Sequence, residues 1–448
     1  MSVKVAKFGG TSLADAGQFQ KVRAILAADT SRQYIVPSAP GKRHPEDIKI
    51  TDLLYLCHAQ VSHRVPFTEI YRIIAQRYEQ IASDLGVEKH LEGKLEEVRE
   101  QIHAGASVDY VVSRGEYLNG LLLSAFLKVR FVDAAQVIRF KPDGTTDAAA
   151  TRQAIRQHVD PSEQVVIPGF YGSMPDGSIK TFPRGGSDIT GAVVAQAVDA
   201  AIYENWTDVS GFLVTDPAIV PQSQPIESIT YRELRELSYM GAQVLHEETI
   251  FPVVEAGIPI NIKNTNDPAH PGTMIVNQPD PEKPRGSITG IAGRKDFTVI
   301  AIEKNLMKRD LSFVRRLLTI LEQMKIPIEH MPSGIDSLSL VIRTGELNGK
   351  LEALTEEIHL QCQPDLLEIH PNIALIATVG HGMAYTKGIS ARLFRSLFQA
   401  GVNVRMIDQG SSEINIIVGV ENKDFEIGVE AIYRAFFSET PSSPTKND

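Results

Sequence analysis

Two pairs of adjacent glycines carry the strongest chemical signal in this sequence. The first pair lies in Lys7-Phe8-Gly9-Gly10-Thr11-Ser12-Leu13, after a strand-like run at 3–8 and before a helical pattern. Glycines let backbone N–H groups approach a phosphate closely, and a helix N-terminus adds positive potential. Lys7, at the strand end, is a point charge within reach of a transferring phosphoryl group. Ser12 and Asp15 have the spacing of a capping box. The Walker A spacing is absent, and a tight turn beside a solvated lysine is the competing reading.

The second pair lies in Pro183-Arg184-Gly185-Gly186-Ser187-Asp188, again ahead of a helix. Two glycines flanked by Arg and Ser-Asp form an anion cradle, and Arg184 has the fork geometry to clamp a carboxylate bidentately. Helix capping alone explains Asp188 equally well, but leaves Arg184-Gly185-Gly186 unexplained. A third segment, Trp206-Thr207-Asp208-Val209-Ser210-Gly211, follows a strand, where ligands of open α/β sheets gather; by itself it reads as an ordinary turn. In a fourth, Ser113-Arg114-Gly115-Glu116-Tyr117, Glu116 can face an ammonium group or be a surface acid near a helix start. Gly380-His381-Gly382 lacks the third glycine of a dinucleotide loop, and the 12 histidines show no metal or triad spacing. Two Gly-Gly loops on one domain point to phosphate handling by positioning, which phosphoryl transfer permits because it needs little covalent help from the protein.

These loops need a scaffold, and the length of 448 residues predicts about three domains. With 43% hydrophobic and 22% charged residues, the chain reads as well-packed and globular. Its net charge of −10 argues against a general nucleic-acid binder, though local cations can still invert the field in one cleft. Cys57 and Cys362 stand far apart without ligand spacing, as in a reduced compartment. No apolar run reaches membrane-spanning length, and the strand at the N-terminus leaves no room for a leader, so the expected address is the cytoplasm.

Up to about residue 290, β-branched runs alternate with helical periodicity, which predicts an α/β sandwich. Strands are expected at 33–36, 130–132, 164–167, 201–204 and 258–262. Helices are expected at 15–28, where Phe19, Val22, Ile25 and Leu26 share a face, and at 188–198. Residues 277–286 are rich in Pro and charge and read as a linker. Beyond them the pattern becomes strand 297–302, helix 311–324, strand 337–342 and helix 351–360. It then repeats as 373–379, 389–400, 402–407, 414–420 and 425–436, which suggests an internal duplication. The polar tail from Ser438 is expected to be disordered.

The motifs together resemble the aspartate kinases (aspartokinases) of the amino-acid kinase fold. The resemblance rests on the segment from Lys7 to Ser12, on Pro37-Ser38-Ala39-Pro40-Gly41-Lys42, Thr51-Asp52 and the Ser113 to Glu116 segment. It extends through Pro168-Gly169-Phe170, Arg184 to Asp188, Trp206 to Gly211 and Gly241-Ala242-Gln243-Val244-Leu245-His246, in the family's order along essentially the whole chain. It implies a mostly parallel sheet between helices at 1–285, two ACT-like (ferredoxin-like α+β) domains at 296–370 and 371–440, and a tail at 441–448. It also implies ATP-dependent phosphorylation of L-aspartate with Mg²⁺, the first step toward lysine, threonine and methionine. Lys7 would neutralise the moving phosphoryl group, with Asp188 orienting it and Gly9 and Gly10 as amide donors. Ser38, Thr51, Glu116, Phe170, Arg184 and Ser187 would line the aspartate site, Glu116 facing the ammonium and Arg184 a carboxylate. Phe8, Ser12, Thr207, Asp208 and Leu213 would border the nucleotide. The sequence departs from the family's common pattern at Gln243, Leu213 and Ala218, all expected near the nucleotide.

The chemistry is consistent with the residues. An aspartate side chain has a reference pKa near ~3.9 and is ionised at neutral pH, so no general base is required. Two anions must meet, and cations must neutralise them. The resemblance further implies feedback by lysine or threonine at Met307, Ser333, Gly334 and Asp336, with Val379 to Met383 adjoining, and a homodimer or dimer of dimers joined through the ACT domains. Two rivals remain open on the sequence: a kinase of another acceptor such as glutamate, and a catalytically dead amino-acid sensor on the same scaffold.

Overall fold

The computed structural model describes residues 3–183, 185–242, 250–279, 288–307 and 310–438, and the chain divides into two compact units. The first comprises Met1–Phe212, Pro225–Tyr231 and Val244–Pro279. Its strands are β1 (Lys4–Phe8), β2 (Arg32–Pro37), β3 (Arg130–Phe131), β4 (Val165–Val166), β5 (Tyr171–Ser173), β6 (Ile179–Thr181), β7 (Ile202–Thr207), β8 (Ser228–Thr230), β9 (Ile260–Asn264) and β10 (Thr273–Val276). Eight of them form one sheet in the order β3-β4-β2-β1-β7-β9-β10-β8, and β5 pairs β6 in a separate hairpin. Every neighbouring pair in the large sheet is parallel except β9–β10.

In β1 the side chains of Val5, Ala6 and Phe8 are all fully buried, on both faces of the sheet. Parallel strands covered on both faces read as continuous apolar runs for this reason. Because β1 pairs β2 on one side and β7 on the other, the sheet order switches at β1. A crevice therefore opens at the C-terminal ends of these three strands, where Lys7, Pro37 and Thr207 stand. Helix Ala16–Ala28 buries Phe19, Val22, Ile25 and Leu26, as their spacing predicts. Four further helices, Ile50–Ser62, Thr68–Leu85, Lys94–His103 and Val108–Leu127, join the same core through Leu54, Ile74, Tyr78, Val98, Leu118 and Leu122.

Two local expectations are corrected. The first helix does not open directly on the Gly-Gly turn, because a 3₁₀ turn, Thr11–Leu13, intervenes. Asp15, and not Ser12, is its N-cap and accepts from Gln18 N–H at 2.9 Å. The second helix begins at Gly186, with Gly185 as N-cap in the left-handed region (φ 81°), so Asp188 sits in the first turn and is freed from capping.

The second unit comprises Leu213–Gln224, Arg232–Gln243 and Asp280–Asp448. This differs from a kinase domain running unbroken to 285. The two early segments join the second unit through specific bonds: Ile291 N–H to Val214 C=O at 2.7 Å, Thr289 hydroxyl to Glu233 at 2.6 Å and Asn415 amide to Glu236 at 2.6 Å. The strands of this unit are β11 (Gly290–Glu303), β12 (Ser337–Arg343), β13 (Leu366–Val379), β14 (Met406–Asp408) and β15 (Asn415–Glu421), in the order β12-β11-β13-β15-β14. β11 starts before the expected Phe297 because its first half pairs antiparallel with 375–379 and its second half with 366–373. The two halves of this unit thus share two long strands, and the expected boundary at 370/371 falls inside β13. In the first half, helices Leu311–Met324 and Leu351–Cys362 pack Phe313, Leu317, Leu354 and Ile358 against Ile300, Ile302 and Leu340. The second half has helices Ile389–Gln399 and Phe425–Phe437. The strand expected at 402–407 is confined to Met406–Asp408. The linker at 280–286 and the tail at 439–448 lie outside the described residues. Among the described residues no helix is long and apolar enough to cross a membrane.

Candidate active site

Lys7 ends β1 with its ammonium 2.6 Å from Asp188 Oδ1. The same Asp188 oxygen accepts from Asn205 Nδ2 at 2.8 Å, and Asn205 Oδ1 in turn accepts from Lys7 Nζ at 3.3 Å. Strand register makes this possible, since Lys7 and Asn205 are Cα partners on the parallel pair β1–β7. Asp188 arrives from the helix Gly186–Ala197, whose early start points the residue back toward β1.

The adjacent Ser187 donates its hydroxyl to Glu116 Oε1 in a long hydrogen bond of 3.5 Å. Consecutive residues of one helix turn therefore touch the lysine and a second carboxylate. Glu116 does not lie in a loop or at the surface, as its motif suggested, but in the middle of the buried helix Val108–Leu127. Among the described residues its Oε2 is buried and has no hydrogen-bond partner. Burial pushes its carboxyl pKa up to about 8, against the pull of the Ala39 backbone, its own backbone, the Ser187 hydroxyl and Arg114. A buried carboxylate with an orphaned oxygen is costly unless a cation or a proton compensates it.

Glycines bring the surrounding loops together. A Cβ on Gly115 would stand 3.0 Å from Ala39 Cβ and 3.5 Å from Ile50 Cγ2, so the Glu116 helix abuts both the loop of Ser38 and the helix start of Thr51. Asn119 adds a 2.6 Å bond to Ser38 C=O. Gly169 and Gly186 are needed for close approach: Cβ atoms there would fall 2.7 Å from Ser187 Cβ and 2.4 Å from the Phe170 ring. Phe170 holds a left-handed conformation (φ 78°), its N–H bonded to Thr190 Oγ1 at 2.9 Å. Gly41 N–H binds Gly10 C=O at 2.8 Å, and a Cβ on Gly41 would lie 2.4 Å from Gly10 C. Buried Arg77, from helix Thr68–Leu85, locks this contact by donating to the carbonyls of Gly41 (2.7 Å) and Ala14 (2.9 Å) while pairing Asp47 at 2.6 Å.

Several sequence-based roles change. Gly9 is not an available amide donor, because its N–H bonds Trp206 C=O at 2.9 Å and continues the β1–β7 ladder. Among the described residues the amides of Gly10 and Thr11 meet no protein acceptor. Phe8 is fully buried, and the buried Ser12 hydroxyl pairs Thr265 Oγ1 at 2.7 Å, so both offer only backbone to a ligand. Thr207 donates to Asp208 at 3.2 Å at the end of β7, leaving the Asp208 carboxylate exposed. Leu213 is exposed and belongs to the second unit. Arg184 and Gln243 lie outside the described residues. Asn205, Asn119 and Arg77 were missed by sequence reasoning. For Asn205 a signal existed: two adjacent polar residues, Glu204 and Asn205, stand in a strand otherwise buried on both faces.

In the second unit Lys304 N–H bonds Asp336 C=O at 2.8 Å, which joins the turn carrying buried Met307 to the exposed loop of Ser333, Gly334 and Asp336. The four expected effector residues thus lie at one end of that sheet.

The amino acid kinase family model matches residues 2–264, and an ACT domain model matches 376–436. Aspartokinase 3 of Bacillus subtilis is 36% identical over 454 residues, covering 97% of this chain and 99% of its own length. The crystal structure of Clostridium acetobutylicum aspartate kinase, an allosteric enzyme, is 55% identical with a TM-score of 0.91, covering 97% of this chain and all of that one. Aspartokinase III of E. coli, at 26% identity, has been solved with lysine and aspartate (TM-score 0.74; 97% and 99% covered) and with aspartate and ADP (TM-score 0.69; 97% and 100% covered).

Proposed function

Since this chain belongs to the amino acid kinase family, as an aspartokinase that transfers a phosphoryl group from ATP to the side-chain carboxylate of aspartate, we propose that it does so by charge neutralisation at the Lys7 crevice. One observation carries this reading: the consecutive residues Ser187 and Asp188 bring the Lys7 ammonium and the buried Glu116 carboxylate to one helix turn. Lys7 meets the moving phosphoryl oxygens, and the Gly10 and Thr11 amides receive phosphate oxygens beside it. Glu116 takes the aspartate ammonium on its orphaned Oε2, which returns the carboxylate to its charged form. Arg184 clamps a substrate carboxylate, while Ser38, Thr51, Ser187 and the Phe170 turn close the pocket. Thr207 and Asp208 border the nucleotide. With the acceptor already ionised, the residues need only align two anions and offset their repulsion.

Mg²⁺ belongs to this proposal, since it would reach the site on the nucleotide phosphates and lower their charge. Exposed Asp208 is a hard oxygen donor of the kind it accepts. In the second unit we assign Met307, Ser333, Gly334 and Asp336 to a feedback effector. Lysine is the ligand favoured, because the E. coli relative binds it. The enzyme would act in the cytoplasm as a homodimer or a dimer of dimers.

A coupled ADP-release assay with aspartate, glutamate and acetylglutamate, each with and without lysine, tests the reading. Turnover is expected with aspartate alone and is expected to fall with lysine. Equal turnover of glutamate would remove the acceptor assignment, and indifference to lysine would remove the effector. Arg184→Ala is expected to raise the aspartate KM with little change for ATP.

A further inference from the structure

We propose that Asn205 is a positioning residue for phosphoryl transfer, holding the Lys7 ammonium and the Asp188 carboxylate in a closed triangle that directs one lysine N–H at the incoming phosphoryl group. The inference rests on the Lys7 assignment above and adds a third member to it. All three edges are hydrogen-bonding distances: Lys7 Nζ to Asp188 Oδ1 2.6 Å, Asn205 Nδ2 to Asp188 Oδ1 2.8 Å, and Lys7 Nζ to Asn205 Oδ1 3.3 Å. Lys7 and Asn205 are nearly fully buried, so thermal freedom and solvent compete little with this geometry.

Donor geometry explains the need for a third member. An ammonium has three N–H donors on a freely rotating head and no preferred direction of its own. A lone carboxylate would fix one donor and leave the head free to rotate about that bond. With Asn205 accepting a second, rotation stops and the third donor has one direction. The amide suits the position because it accepts from the cation and donates to the anion, and only one of its two orientations does both. It is also neutral. The Asn205 amide therefore adds no negative charge beside Asp188, and the Lys7 ammonium keeps a free N–H to meet an arriving polyphosphate. An aspartate at 205 would set a second carboxylate against Asp188 and turn the cluster anionic, although its shape would be unchanged. The side chain lies at the strand end nearest the crevice, where register allows a β1 residue and a β7 residue to meet one oxygen from a helix.

The test uses the full-length enzyme and measures kcat, both KM values and thermal melting for N205A, N205D, D188N and D188N/N205D. N205A is expected to lose about 10- to 100-fold in kcat, the cost of a misdirected catalytic group, with the aspartate KM nearly unchanged. N205D is expected to be worse than N205A despite its matching size. The double variant D188N/N205D is expected to regain activity over N205D, because one carboxylate and one amide are again present with places exchanged. A packing role for Asn205 would give no such recovery. Wild-type kcat in N205A overturns the proposal, as does a double variant no better than N205D. Lys7→Ala is the control: an active K7A enzyme would remove the underlying assignment of Lys7, whereas an inactive K7A with a fully active N205A removes only the role of Asn205.

Discussion

Glu116 should make aspartate binding depend on pH in a range where ordinary carboxylates do not titrate. Its pKa of about 8 in the unliganded enzyme arises chiefly from burial, so at pH 7 about one molecule in ten carries the charge there. Only that form attracts the substrate ammonium. The aspartate KM should therefore climb about tenfold for each pH unit below 8, equivalent to about 1.4 kcal/mol per unit. Glu116→Gln removes the charge. Loss of a charge-assisted hydrogen bond of about 1.5–3 kcal/mol raises KM by about 10- to 150-fold, and the pH slope should vanish. The same substitution gives a second readout in stability. A folded carboxyl pKa raised above the unfolded value means that the native state binds more protons between about pH 4.5 and 8, so native stability declines as pH rises through that window. The Gln variant, free of the buried charge, should melt higher than the wild type at pH 8.5. The assay is ADP release against aspartate concentration at half-unit steps from pH 6 to 8.5, with melting curves in the same buffers. A wild-type KM that stays flat over that range, or a Glu116→Gln enzyme with an unchanged slope, would show that Glu116 does not receive the substrate ammonium.

Two further outcomes test how the loops are held. Gly41→Ala should cost about 1–3 kcal/mol in denaturant unfolding and weaken both substrates, because the new Cβ meets the Gly10 backbone and not a yielding side chain; an unperturbed variant would show that the two turns do not need their close contact. Arg77→Met should destabilise by about 1–3 kcal/mol, since the carbonyls of Gly41 and Ala14 lose their buried donor while Asp47 keeps Arg43 as a partner. A loss under 1 kcal/mol would mean that Arg43, paired with Asp47 at 2.9 Å, is sufficient by itself.

Much of the fold was legible where local chemistry and tertiary packing agree. Apolar spacing placed the helix at Ala16–Ala28, and the β-branched run at 33–36 placed β2, because both elements bury faces that the sequence advertises. The helical block between residues 50 and 127 escaped assignment, although it contributes most of one core. The strand β11 was read too short because half of its pairing lies with residues some 80 positions away, which no local window contains. At the site, the glycine pairs announced close approach, yet their sequence cannot say which amides remain available. Gly9 is taken by Trp206 through strand pairing, a fact of register. The setting of Glu116 was hidden for a related reason: Ser-Arg-Gly-Glu looks polar and loop-like, but it lies inside a helix, where it places an acid at a buried position. The buried polar pair Glu204-Asn205 marked that strand as unusual, but it could not name the partners of Asn205, which come from residues 7 and 188 and meet it through the β1–β7 register and the helix after the second glycine pair.

Lys7 supplies, in this proposal, the positive charge that lets a triphosphate and a dicarboxylate meet. The direct measurement is single-turnover phosphorylation of aspartate by Lys7→Ala, with circular dichroism to confirm the fold. Removal of this cation is expected to lower the rate by about 100-fold or more, the scale seen when one preorganised transition-state donor is lost. A folded Lys7→Ala enzyme that transfers phosphate at close to the wild-type rate would contradict it.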